Sequence, residues 1–163
     1  MAQFTNTIKF LEDKRKGIIT DAKNNLKSGG AIATGKLLNS LKGEEKIFPG
    51  MIQMEINGEH YWYWRDKGRG PTKAGSSGRP LRELLIPWIK AKGIVPRDLV
   101  TGELISIKGL AYIIAKKIHR EGYSGNSFFM NALEKNINRL AEDIEQEVAK
   151  DGSKALEIIF KQP

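Results

Sequence analysis

Cysteine is absent from all 163 residues, which excludes disulfide frameworks, thiolate metal sites and cysteine nucleophiles together and leaves nothing that marks an oxidising compartment. Histidine is almost as scarce. With only His60 and His119, the usual zinc spacings cannot be assembled, and neither a metal site nor a cofactor is expected. There is no Gly-x-x-x-x-Gly-Lys-Ser/Thr phosphate loop: the glycines from Gly70 to Gly78 have no strand before them and no lysine where such a loop needs one. No Gly-x-Ser-x-Gly elbow is present to hold a nucleophile. Glu44-Glu45 and Glu142-Asp143 are read as solvated surface pairs rather than acid–base couples. The chain is therefore not expected to be an enzyme. No run approaches the ~18 apolar residues of a membrane span. The opening Met-Ala-Gln-Phe-Thr also lacks the charged-then-apolar layout of a signal peptide. The expectation is a soluble intracellular chain with no membrane contact.

What remains is ordinary enough to fold and uneven enough to be informative. At 40% hydrophobic and 28% charged, the chain can bury a core, and its length suits one domain spanning 1–163. The charge is concentrated. From Arg65 to Arg120 there are 13 Lys and Arg against 4 Asp and Glu, whereas the rest of the chain carries 14 against 15. A basic stripe of this kind suits an anionic partner such as nucleic acid, a phosphate-rich surface or an acidic protein ring. It also suits a plain solvated surface.

Along the chain, Phe4, Ile8, Leu11, Ile18, Ala22 and Leu26 recur at helical spacings, which predicts an amphipathic helix ended by Ser28-Gly29-Gly30. Thr34 is placed to cap a short helix carrying Leu37, Leu38 and Leu41, stopping at Gly43. Lys46–Phe48 and Met51–Ile56 flank Pro49-Gly50 and predict a hairpin. The run His60 to Trp64 is a strand or a helical turn packed on the sheet. Asp66 to Arg79, rich in glycine and without a large apolar residue, predicts a long exposed loop. Leu81, Leu84, Leu85 and Trp88 predict a helix face interrupted by Pro87, and Ile94–Lys108 an irregular connection. Leu110, Ile114 and Ile118 line a second helix, with Lys116, Lys117 and Arg120 on its other side. After a Gly122–Asn126 loop, Leu133, Ile137, Leu140, Ile144 and Val148 predict one long helix from about Ser127 to Lys150, stopped by Asp151-Gly152. Leu156–Phe160 reads better as a closing strand than as a helix.

Two readings attach to Tyr61–Arg69. Exposed aromatics interleaved with cations make a base-stacking platform. In a chain only 8% aromatic, however, four adjacent rings more often supply core area, with Trp62 and Trp64, or Tyr61 and Tyr63, facing the core, and that reading is preferred.

Three blocks, in order, carry a family resemblance: Thr34-Gly35-Lys36-Leu37-Leu38-Asn39-Ser40-Leu41, then Tyr61-Trp62-Tyr63-Trp64-Arg65-Asp66-Lys67-Gly68, then Phe128-Phe129-Met130-Asn131-Ala132-Leu133. Together they resemble the tail-completion (head–tail joining, or neck) proteins of tailed bacteriophages. In that family a "TGxLxxS" helix start precedes a hairpin, a tyrosine-rich strand follows and a "PFLxPAL"-like helix comes last. The chain departs from the pattern in two places. The family's prolines are replaced by Ser127 and Asn131, and a basic loop-and-helix insertion at about 70–122 stands where the family has a short loop.

The resemblance implies an α+β fold with a small antiparallel sheet packed on a long C-terminal helix, an N-terminal helix and a helical insertion. It also implies a non-catalytic virion subunit, made in the host cytoplasm and placed at the head–tail junction. Such a subunit forms a homo-oligomeric ring of roughly six or twelve copies by head-to-tail contacts. Its neighbours are portal or adaptor and tail proteins, and it surrounds packaged double-stranded DNA that it contacts without reading sequence. On that reading Lys67, Arg69, Lys73, Arg79, Arg82, Lys116, Lys117 and Arg120 are the candidate assembly or DNA-channel contacts. A reading from a different class is a basic nucleic-acid-binding module without catalytic activity.

Overall fold

A stripe of Leu11, Ile18, Ala22 and Leu26, all buried, runs along helix α1 (Thr5–Ser28) and fixes which side of it faces inward. The computed structural model describes residues 4–30, 32–72, 80–98 and 100–160, the side chains of 158–160 excepted. Phe4, expected at the head of the stripe, precedes the helix and is exposed; Thr7 is buried in its place. Helix α2 (Lys36–Ser40) starts from Gly35, in a left-handed conformation, and not from a Thr34 cap. It ends at Ser40, short of the expected Gly43, because Gly43 already belongs to a strand. A Cβ on Gly43 would lie 2.5 Å from the Glu55 carbonyl oxygen and 2.8 Å from Arg15 Cδ, so only glycine lets the strand approach α1 this closely.

The hairpin forms as expected and is longer. Strands β1 (Lys42–Phe48) and β2 (Met51–Asn57) pair antiparallel from Lys42↔Asn57 to Phe48↔Met51 across Pro49-Gly50. The aromatic run folds as a helix, α3 (Trp62–Lys67), followed by β3 (Gly68–Arg69). The expected exposed loop therefore does not begin at Asp66, whose side chain is almost wholly buried. The insertion holds α4 (Leu81–Ala91), with Pro87 inside it, and α5 (Ile107–Glu121), joined by an irregular connection with one bridge, Arg97↔Leu104. On α4 the expected face is inward only in part: Leu81 and Leu85 are half-buried, Leu84 and Trp88 are exposed, and Ile89, outside the pattern, is fully buried. The Gly122–Asn126 segment, expected as loop, contains β4 (Tyr123–Ser124), paired antiparallel with β3.

The expected single C-terminal helix is two: α6 (Phe128–Ile137) and α7 (Leu140–Phe160). Arg139, at φ 66°, makes the break. The two halves together run antiparallel to α1, about 36 Å long at 1.5 Å per residue. Asn25 Nδ2 donates to the Phe128 carbonyl at 2.9 Å, Asn136 Nδ2 to Asp21 at 2.8 Å and Lys14 Nζ to Asp143 at 3.2 Å. Asp151 then meets the start of α1. The break lets both halves stay in contact with α1, and α7 passes straight through Asp151-Gly152 into the segment expected to be a strand.

Asp151 explains why that stop signal fails. Helix α1 has no side-chain cap and no acid in its first turn. The Asp151 carboxylate accepts from the Asn6 and Thr7 N–H groups at 3.0 Å each, and from Asn6 Nδ2 and Thr7 Oγ1 at 2.8 Å each. A helix-interior glycine such as Gly152 costs about 1 kcal/mol, and this tertiary cap outweighs it. The architecture is α+β, with a small antiparallel sheet and a long C-terminal helix. The hairpin lies on α1, where Arg15 Nε pairs with Glu45 at 2.5 Å, and α1 in turn lies on α6 and α7. One buried cluster joins Ala22 and Leu26 of α1, Leu37 and Leu41, and Phe128 and Ala132 of α6, with Trp62 and Phe129 packed beside it.

Candidate functional site

The insertion leaves the body through the two-residue ladder of β3 and β4, and its base is held by backbone in close contact. A Cβ on Gly125 would sit 1.9 Å from the Asp66 carbonyl oxygen, so glycine is required where the two segments cross. Asp66 anchors the same junction from below. Its Oδ1 accepts from the Phe129 and Met130 N–H groups at 2.7 and 3.2 Å, and its carbonyl from Ser127 N at 3.0 Å. It thereby caps α6, which lacks a local side-chain cap.

Above this anchor, Arg69 Nη2 donates to Thr72 Oγ1 at 2.7 Å, and Thr72 Oγ1 lies 2.6 Å from His119 Nδ1. Thr72 N also donates to the His119 carbonyl at 2.9 Å. Residues 70–72 are thus tied to the C-terminal end of α5. Tyr123, opposite Arg69 in the ladder, is 37% exposed. Burial pushes its phenol up, and the guanidinium groups of Arg69 and Arg65 only partly offset that.

The candidate residues fall on four elements. Lys67 on α3 and Arg82 on α4 are exposed, and neither has an ion pair or side-chain hydrogen bond among the described residues. Arg69 is half-buried and its guanidinium is turned toward Thr72. Lys116, Lys117 and Arg120 are exposed together on α5, with Arg120 paired to the adjacent Glu121. Lys73 and Arg79 lie outside the described residues.

Apolar exposure is the feature that sequence patterning missed. Among the described residues of the insertion, eight large apolar side chains are exposed: Leu84 and Trp88 on α4, Ile94, Val95, Val100 and Leu104 in the connection, and Tyr112 and Ile113 on α5. Val100 is 94% exposed and Leu104 67%. A second apolar patch, Ile47, Phe48 and Met51, covers the hairpin tip. A third consists of aromatic rings. Only Trp62 meets the preferred expectation of a core role, lying 5.0 Å from the Phe129 ring, while Tyr61, Tyr63 and Trp64 face outward. The reason is helical geometry: alternate rings share a side in a strand, whereas within α3 Trp62 and Trp64 point about 200° apart, so Trp64 cannot follow Trp62 into the core.

The acidic pairs also behave differently from expectation. Glu45 is drawn in against Arg15 and Asp143 against Lys14, while Glu44 and Glu142 stay on the surface beside Lys46 and Arg139. Among the described residues, no group of three or more His, Cys, Asp and Glu side chains could hold a metal ion. No described helix is long and apolar enough to cross a membrane. An open groove lies between the end of α2 and the hairpin, lined in part by Ser40, Asn57, Glu59 and His60. Compared with family models, curated proteins and solved structures, the chain finds no match.

Proposed function

We propose that the chain is a structural subunit of a tailed-bacteriophage head–tail connector. It assembles head to tail with copies of itself into a ring around the DNA channel and does no chemistry. The observation that carries this reading is apolar surface exposed in separate places, on the insertion and on the hairpin tip. Contiguous exposed apolar patches mark interaction sites. Two different patches on one chain suit a heterologous contact, in which one face of a subunit meets another face of the next and the rotation closes a ring. The resemblance supplies the class of assembly. It is supported by the way its three blocks converge: Leu37 and Leu41 from the first, Trp62 from the second, and Phe128, Phe129 and Ala132 from the third pack in a single cluster. A basic nucleic-acid module would account for the lysines of α5 but has no need of the outward Val95, Val100 and Leu104.

Native mass spectrometry over a concentration series, with the particles viewed by electron microscopy, tests the proposal. A closed ring of roughly six or twelve subunits is expected. A chain that remains monomeric at every concentration and salt would refute self-assembly.

A further inference from the structure

We infer that the outward half of α5 is a binding surface for the phosphate backbone of duplex nucleic acid, contacted without reading base sequence. At about 100° per residue, α5 divides cleanly. Ala111 and Ala115 are buried and Leu110, Ile114 and Ile118 half-buried on the side that faces α4. Lys108, Tyr112, Ile113, Lys116, Lys117 and Arg120 are exposed on the other. No carboxylate interrupts that half. The only acid of the helix is Glu121 at its last position, where it pairs with Arg120 and reaches Lys117 electrostatically.

From Lys108 to Arg120 the row covers about 18 Å, at 1.5 Å per residue, about five base-pair steps of duplex axis at 3.4 Å each, so several backbone phosphates lie within its reach. The residue types favour nucleic acid over an acidic protein. Lysine is depleted in protein interfaces, where arginine and aromatics are enriched, and this row is mainly lysine, a point-charge phosphate binder. It holds no Asn or Gln, and Arg120 is already engaged, so the side chains that read bases bidentately are missing. Tyr112 lies between Lys108 and Lys116, where a ring can pack on sugar or base while the cations hold phosphates. The inference stands on this helix surface alone and survives failure of the connector reading, because DNA binding by the isolated chain and ring formation are measured separately.

The test is fluorescence anisotropy of the full chain with two labelled 25-base-pair duplexes of unrelated sequence, from 50 to 200 mM NaCl. Engagement of the three lysines gives a log–log salt slope of about −2.7, so affinity falls about 40-fold over that range, equally for both duplexes. The triple variant Lys108→Gln/Lys116→Gln/Lys117→Gln should reduce the slope by about 2.7. A control with the same charge change elsewhere, Lys9→Gln/Lys27→Gln/Lys36→Gln, should leave the slope nearly unchanged. Circular dichroism and native mass spectrometry of each variant establish that fold and assembly persist. Equal effects of the two triple variants, no binding at 50 mM NaCl, a strong preference for one duplex, or tighter binding of polyglutamate than of DNA would each overturn the inference. The last of these would point to an acidic protein instead.

Discussion

Replacing Asp151 by alanine is expected to lower stability by about 3 kcal/mol, because this one carboxylate serves as the missing cap of a helix it does not belong to. Losing an N-cap acceptor costs about 1 kcal/mol. The Thr7 hydroxyl and Asn6 amide, left without their acceptor, add on the order of 1 kcal/mol each, since Asp151 is only 5% exposed and water cannot readily replace it. For a chain of this size each kcal/mol moves the midpoint by about 2–4 °C, so Tm should fall by about 6–12 °C. Asp151→Asn keeps one oxygen and should lose about half as much.

Acidification separates the charge from the shape. Burial pushes the Asp151 carboxyl up, but the hydrogen bonds from Thr7 and Asn6 outweigh it and hold the group below its usual range. A carboxyl depressed in the folded state stabilises fully above its unfolded pKa of ~3.9 and loses that contribution as pH falls through the folded value. The gap between wild type and Asp151→Asn should therefore be complete at pH 7 and narrow only below about pH 4. Urea unfolding followed by far-ultraviolet circular dichroism at a series of pH values measures it. An Asp151→Ala midpoint within 2 °C of wild type, or a gap that ignores acid, would show that the cap is incidental.

Gly125→Ala should destabilise the junction by about 3 kcal/mol, since the new Cβ meets the Asp66 carbonyl oxygen. Faster amide exchange at Asn126 and Ser127 would locate the damage, and a wild-type Tm would contradict it. Asp66→Asn keeps an acceptor for the α6 N-terminus and should cost about 1 kcal/mol, while Asp66→Ala should cost about 2; thermal melts that rank the pair the other way would refute the capping role. Val100→Ser with Leu104→Ser should leave the unfolding free energy within about 0.5 kcal/mol of wild type, because both side chains face water. The same pair should raise the concentration needed for assembly at least about tenfold. Assembly unchanged by native mass spectrometry would remove the connection from the interface.

Periodicity was most reliable where one helix packs along another for many turns. The α1 stripe at Leu11, Ile18, Ala22 and Leu26 is what a 3.6-residue period demands, and Pro49-Gly50 marks the hairpin turn. It failed where a distant residue overrides a local signal. Asp151-Gly152 reads as a stop until Asn6 and Thr7 supply partners from the other end of the chain, and the break at Arg139 follows from keeping α6 and α7 against α1. On α4 the pattern Leu81, Leu84, Leu85, Trp88 is amphipathic but says nothing of which partner it awaits, so Leu84 and Trp88 look inward by sequence and face outward in the monomer. Asp66 was hidden by its glycine-rich surroundings. The basic row of α5, by contrast, was legible from Lys116, Lys117 and Arg120, and the structure extends it to Lys108 and Tyr112.

Stability and interaction are consequently carried by different parts of the chain. The three resembling blocks build the core around Phe128, while the exposed apolar side chains from Leu84 to Ile113 and the exposed lysines of α5 lie on an insertion joined through β3 and β4. Asp66 connects the two: it lies in the last turn of α3 just before β3, and its carboxylate holds the first turn of α6. An insertion flexibly tethered would lose affinity to the entropy of ordering at each contact. Fixing its base to the core helix reduces that cost without burying the surface that must meet a partner. Substitutions at Val100, Leu104, Lys108 or Lys116 should thus change what the chain binds and leave its fold intact, whereas those at Asp66, Gly125 or Asp151 should weaken the fold first and binding only as a consequence.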